Sequence, residues 1–185
     1  MTNPIFPIDE NTTYNMVSTY GVRIHPIYGV QKFHDGVDIF ADPGTAVMSM
    51  DGGTIVANQT ANGYGNVIVV ENGDGTGGYL YAHMQNNSSS SPALSEGSTV
   101  TKGFMIGAVG HTGIGTGDHL HVEKLTQGAI DSIKSAKTPT TLGIDRGDVG
   151  PTTESPYRED ITSILKQSQQ SRIDVTIKNY TCREK

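Results

Sequence analysis

The sequence has a single cysteine, Cys182, among 185 residues, and no tryptophan. One thiol cannot close an intrachain disulfide, and it excludes a zinc site built from several cysteines. Any metal would have to be held by histidine and carboxylate. Basic residues are scarce: 13 Lys and Arg face 19 Asp and Glu, for a formal net charge of −6. Phosphate backbones demand a basic face, so nucleic acid is excluded as a partner. No stretch approaches the ~18 consecutive apolar residues of a membrane span. The opening MTNPIFPIDENTTYNM carries neither the basic start nor the apolar run of a secretory leader. Three origins fit that opening: synthesis for the cytoplasm, removal of a leader, or excision from a longer protein.

Helical periodicity is also missing from the first 125 residues. What stands there instead is short apolar alternation broken by glycine: GTAVMSM, GGTIVAN, YGNVIVVEN, GGYLYAHM, GSTVTKG, FMIGAVG and HLHVEK. Each reads as a strand, with turn signals such as Asp51-Gly52-Gly53 and Asn72-Gly73-Asp74-Gly75 between them. The predicted fold is mainly β, an antiparallel sheet or sandwich with glycine-rich corners. The polar stretch 86–97, with four consecutive serines, reads as a surface loop that could wall a groove.

Composition changes near residue 125. Residues 1–125 hold four Lys and Arg, eleven Asp and Glu and 19 of the 23 glycines; residues 126–185 hold nine basic and eight acidic residues. The expected organisation is a β domain over 1–125, a loop or linker over 126–155, and an appendage over 156–185. Ser155 and Pro156 predict a helix start, with Lys166 late in that helix. The alternation of Ile173, Val175 and Ile177 predicts a strand after it. The appendage is expected to pack on the core or meet a protein partner, and to take no part in bond cleavage.

The histidines carry the chemistry. There are six: His25, His34, His83, His111, His119 and His121. His119 and His121 are two apart, which on a strand sends both rings to one face and Leu120 to the other. In His34-Asp35-Gly36-Val37-Asp38 the glycine permits a tight bend, so that an imidazole and a carboxylate four residues apart can converge. One imidazole from the His119/His121 pair would complete three ligands and leave a fourth position open for water, as catalytic zinc requires.

With RIHPIYG, FHDGVDI, GTAV, GYGNVIVV, YLYAHM and TGDHLHVE in this order from about Ser18 to about Glu123, the chain resembles the M23, or LytM/lysostaphin-like, zinc endopeptidases of bacteria and phage. That resemblance implies a mainly antiparallel β fold with one Zn²⁺ per chain in a long groove. It implies His34, Asp38 and His121 as the zinc ligands and His119 and His83 as catalytic residues. It further implies cleavage of peptide bonds in peptidoglycan stems or cross-bridges, at the cell envelope, outside the cell, or by phage delivery. His25, in the RIHP turn, is expected to be structural and His111 to lie on the surface or groove edge. Two other classes share these residues: a non-hydrolytic module that binds or regulates at the cell wall, and a structural part of a phage or secretion machine.

Overall fold

The computed structural model describes residues 3–9, 11–85, 94–136 and 154–183. Among them the chain forms β1 (Tyr14–Ser18), β2 (Gly21–Ile24), β3 (Gln31–His34), β4 (Val37–Ala41), β5 (Ala46–Met48), β6 (Gly53–Ala61) and β7 (Gly65–Asn72). There follow β8 (Gly78–Met84), β9 (Thr99–Val100), β10 (Met105–Ala108), β11 (His119–Leu125), α1 (Gln127–Ser135), β12 (Arg158–Glu159) and α2 (Thr162–Arg183). Every strand pair is antiparallel. The main sheet runs β1-β4-β11-β8-β7-β6-β9, with β12 attached to β11. Two two-stranded sheets, β2-β3 and β5-β10, stand beside it. This is the mainly antiparallel β architecture that the alternating segments predict. Most of the 86–97 stretch lies outside the described residues.

Both faces of the sheet are covered, which explains why β7 is an unbroken apolar run, Val67 to Val70. Ile68 and Val70 join Ile39, Tyr81, Leu120 and Val122 in one core cluster. Val67 and Val69 join Leu80, Ala82 and Leu125 on the opposite face, beneath α1. Such a strand is buried on two sides and loses the apolar-polar alternation of a half-exposed one.

The sequence boundary at 125 falls inside this packing. The stretch expected to be a linker begins with α1, capped by the Thr126 hydroxyl, which accepts from the Ala129 N–H. Its Ala129, Ile130 and Ile133 are buried against the sheet, while residues 137–153 lie outside the described residues. Ser155 does not cap a helix. It forms a turn in which its hydroxyl accepts from the Tyr157 N–H, and just before the later helix the Asp160 carboxylate accepts from the Thr162 N–H. That helix, α2, runs through Ile173, Val175 and Ile177, so the strand predicted there is a helical segment. Three β-branched residues in alternation are a weak signal, and a helix already anchored on the main core through Ile161 and Leu165 propagates through them. Among the described residues no helix is long and apolar enough to cross a membrane.

One break in the sheet matters for function. Ala82 belongs to the α1-side cluster and Met84, two residues on, to the opposite one. Regular pleating would keep both on one face. The pairing of β7 with β8 shifts register between Asn66 and Ile68, and His83 has φ of 60°, the only left-handed non-glycine residue recorded among those described. The bulge therefore restores Met84 to the core and turns the His83 side chain away from it. Holding a histidine there costs about 1–3 kcal/mol. We expect His83→Gly to be more stable than His83→Ala by about 1 kcal/mol, because only glycine relieves the positive φ. Paired denaturant titrations measure this, and equal stabilities would refute a strained bulge.

Candidate metal centre

Strand pairing builds the site. β11 lies between β4 and β8, with His121 opposite Asp38 on one side and Ala82 on the other. His119, opposite Phe40, projects to the same face as His121, while Leu120 and Val122 enter the core behind them. His34 arrives at the end of β3, one tight bend before β4. Gly36 in that bend has a reason the sequence did not reveal. Its φ is ordinary, but a Cβ there would run into the Val122 carbonyl and come within 2.9 Å of the His121 ring. The residue is small because β11 passes directly beneath it.

Three side-chain atoms converge. His34 Nε2 lies 3.1 Å from both Asp38 Oδ1 and His121 Nδ1, and His121 Nδ1 lies 2.9 Å from Asp38 Oδ1. Ligands in a tetrahedral shell of about 2.0–2.1 Å radius would stand about 3.3 Å apart. All three residues are buried. The far nitrogens settle the tautomers. His34 Nδ1–H donates to the Thr19 carbonyl at 3.0 Å, and His121 Nε2–H donates to Glu123 Oε1 at 3.1 Å. Both nitrogens facing Asp38 are therefore lone pairs when the rings are neutral. Three acceptors pointed at one another repel unless positive charge stands among them, and a cation fits that requirement.

The same demand appears in the proton affinities. Burial disfavours a charged His121, yet Asp38 and Glu123 outweigh it and push the imidazole up to about 9. Burial works to raise Asp38 as well, but the rings of His121 and His34 hold its carboxyl well below the usual range. Arg23 approaches the other Asp38 oxygen, Oδ2, at 3.2 Å from the open side.

Two further imidazoles face the same space. His119 Nδ1–H donates to the Gly117 carbonyl at 2.7 Å, and His83 Nδ1–H donates to the Thr112 carbonyl at 2.8 Å. Each ring thus leaves Nε2 unprotonated, and the two rings lie 4.5 Å apart between centroids. His119 Nε2 is 3.9 Å from Asp38 Oδ1, and Phe40 stacks on the His119 ring. Burial, reinforced by the neighbouring imidazoles, lowers His83 to about 3; burial also lowers His119. Both rings are neutral at physiological pH.

These groups line a groove of about 420 Å³. Ile24 to Ile27 of the β2-β3 turn form one wall, and residues 62–64 with 114–116 the other. The two remaining histidines stand outside the cluster. His25 Nδ1 accepts from the Ile27 and Tyr28 N–H groups and holds that turn together. His111 is half exposed, 3.8 Å from Asp118.

Sequence reading overlooked the support beneath His121. Glu123 Oε1 also accepts from the Tyr64 hydroxyl at 2.6 Å, and Glu123 Oε2 accepts from Arg158 Nε at 2.7 Å. Burial would raise the Glu123 carboxyl, but Arg158 and His121 hold it down to about 2. Burial and the Glu123 charge push the Tyr64 phenol up, so it stays a donor. Glu123 was legible: it continues the two-residue period of His119 and His121 on the same strand face. Arg158 had no such signal.

The sequence profile of peptidase family M23 matches residues 32–132. The DD-carboxypeptidase/endopeptidase Mpg of Neisseria meningitidis is 36% identical over 132 residues, which are 71% of this chain and 29% of that protein. A zinc containing peptidase from Vibrio cholerae aligns with a TM-score of 0.58 at 26% identity, over 68% of this chain and 37% of that one. The catalytic domain of lysostaphin from Staphylococcus simulans aligns with a TM-score of 0.57 at 26% identity, over 84% of this chain and 93% of that one. The chain spans less than a third of the length of the Neisseria protein it matches.

The neutral, buried His83 makes stability depend on pH. Its folded value, about 3, lies below the ordinary imidazole value of 6.5. Between those limits the unfolded chain takes up a proton that the folded chain refuses, so stability falls as pH drops from 6.5 towards 3. Above 6.5 the effect vanishes. In chelator-treated protein the melting temperature should fall more steeply from pH 7 to pH 4 for the wild type than for His83→Gln. Parallel curves would show that His83 is not held neutral.

Proposed function

Because this chain belongs to peptidase family M23, we propose that it is a zinc-dependent endopeptidase that hydrolyses peptide bonds in peptidoglycan stems or cross-bridges. His34, Asp38 and His121 hold the metal, one Zn²⁺ per chain. His119 and His83 handle protons. The observation that carries this reading is the convergence of two imidazole nitrogens and a carboxylate oxygen at about 3 Å, beside two further imidazoles whose Nδ1–H groups are bound to carbonyls. The Neisseria relative is named for carboxypeptidase and endopeptidase action, and the aligned Vibrio protein for its zinc, which supports both halves of the reading. Action on peptidoglycan puts the site of work at the cell envelope or outside the cell.

Zinc bound here would supply acidified water near pH 7 and a Lewis acid for the scissile carbonyl. The chain supplies the rest. His119 Nε2 is a neutral base beside the acceptor cluster, suited to take a proton from the attacking water and return one to the leaving amine. Its Nδ1–H bond to Gly117 holds the tautomer that this requires. His83, locked by Thr112, presents a second neutral Nε2 that can accept a hydrogen bond and so orient the water. Walls from the β2-β3 turn and the 114–116 loop hold an extended peptide across these groups.

Ligand and base should fail differently. Purified protein should contain about one equivalent of zinc, and His34→Ala and His121→Ala should lose it. His119→Ala should keep the metal while hydrolysis falls by about 10²–10⁴-fold. Elemental analysis and peptide hydrolysis on the same samples test this, and loss of zinc from His119→Ala as readily as from His121→Ala would refute the division of roles.

Hydrolysis itself is tested on defined muropeptides, with new termini identified by mass spectrometry. Cleavage that stops with chelator and returns with Zn²⁺ is the expected result. A zinc-loaded protein that cuts no peptidoglycan peptide would instead favour the non-hydrolytic wall-binding class.

A further inference from the structure

Arg158 lies outside the residues matched to the family, 35 positions beyond the carboxylate it meets. It is carried there by β12, which takes over the edge of β11 where β4 leaves it. β4 pairs with β11 as far as Val122, and β12 then pairs Glu159 with Lys124 and Arg158 with Leu125. This register sets Arg158 on the sheet face of Leu125, Glu123 and His121. The segment is firmly seated: the Tyr157 carbonyl accepts from the Thr126 N–H, and Ile161 and Leu165 are fully buried in the core.

We propose that Arg158 is a positioning residue for the metal centre, so that the C-terminal segment is a working part of the site and not an accessory to it. This rests on the reading of His121 as a metal ligand. The Arg158 side chain is fully buried, and that of Glu123 nearly so. The guanidinium uses two branches of its fork: Nε donates to Glu123 Oε2 at 2.7 Å, and Nη2 donates to the Tyr64 hydroxyl at 3.1 Å. Tyr64 in turn donates to Glu123 Oε1, the atom that receives the His121 Nε2–H. The arginine thereby fixes both oxygens of the carboxylate, one directly and one through the phenol. Glu123 can then take only the orientation that aims His121 Nδ1 at His34 and Asp38. Carboxylates behind metal-bound imidazoles fix ring orientation and raise ligand basicity. A lysine would keep the charge but not the planar fork.

The test uses the full chain, Zn²⁺ and Co²⁺ as probes, and two variants. Arg158→Lys preserves the buried charge. The double variant Arg158→Met with Glu123→Gln removes both charges together, so neither is left buried without its partner. Zinc affinity is read by chelator competition, the visible spectrum of the Co²⁺-loaded protein reports ligand geometry, and the melting temperature of the metal-free protein reports the fold. The expected result is a metal-free melting temperature near wild type for both, with zinc affinity lowered by about 10–100-fold in the double variant. Arg158→Lys should fall between it and wild type, and the Co²⁺ spectrum at saturating metal should change in both. Unchanged affinity and an unchanged spectrum would make Arg158 a structural residue only and overturn the inference. If the double variant does not fold, the same two measurements on Arg158→Lys decide. A wild type that binds neither metal overturns the metal reading and this inference with it, whereas binding that both variants share in full overturns this inference alone.

Discussion

Two imidazole nitrogens and a carboxylate oxygen meeting at about 3 Å set the terms for everything around them. When both rings are neutral, His34 Nε2, Asp38 Oδ1 and His121 Nδ1 present only lone pairs to one another and repel unless a cation stands among them. They are held by what stands behind them: the Thr19 carbonyl on His34, Glu123 on His121, and the β4-β11 ladder under Asp38. The backbone places the groups and the outer hydrogen bonds choose their tautomers. A rigid sheet suits this task, since a shift of one residue in the β4-β11 register would send either Asp38 or His121 into the core.

The core and the site are two uses of the same strands. Leu120 and Val122 anchor β11 in the main cluster, and that anchoring aims His119 and His121 at the groove. On the groove face itself, Leu125 and α1 close one end of the sheet, while the histidines and carboxylates occupy the other. Gly36 belongs to this economy as well: a side chain there would push the β3-β4 bend away from β11. Charge is handled in the same layered way. The Asp38 carboxylate meets Arg23 at the open side, and the deeper Glu123 carboxylate meets Arg158 inside the protein. Neither acid is left buried without a cation, a condition for tolerating such groups in an interior.

The four clustered histidines fall into two pairs by their hydrogen-bond partners. His34 and His121 have rings turned towards a carboxylate that craves positive charge. His119 and His83 are turned by the Gly117 and Thr112 carbonyls so that unprotonated nitrogens face the groove, and burial keeps them neutral. The two pairs differ in these second partners and not in the imidazoles themselves.

The strands from residue 44 to residue 125 and the pairing of His119 with His121 on one face were legible in the sequence, because alternation and glycine turns are local properties. So was the closeness of His34 to Asp38, although the reason for Gly36 was not. Its constraint comes from β11, some 85 residues away along the chain. The α2 segment misread as a strand shows the limit of periodicity: Ile173, Val175 and Ile177 alternate, but a helix rooted at Ile161 and Leu165 overrides them. His83 needed the bulge at Ala82 to leave the core, and nothing in YLYAHM announces a left-handed residue. Arg158 was invisible for the same kind of reason. By itself the sequence determined which residue types could bind a metal and which strands would carry them. Only the tertiary structure decided which nitrogen of each ring faces the centre, since that choice belongs to the Thr19 and Thr112 carbonyls brought up from distant turns, to the Gly117 carbonyl, and to the Glu123 carboxylate that Arg158 of the C-terminal segment meets.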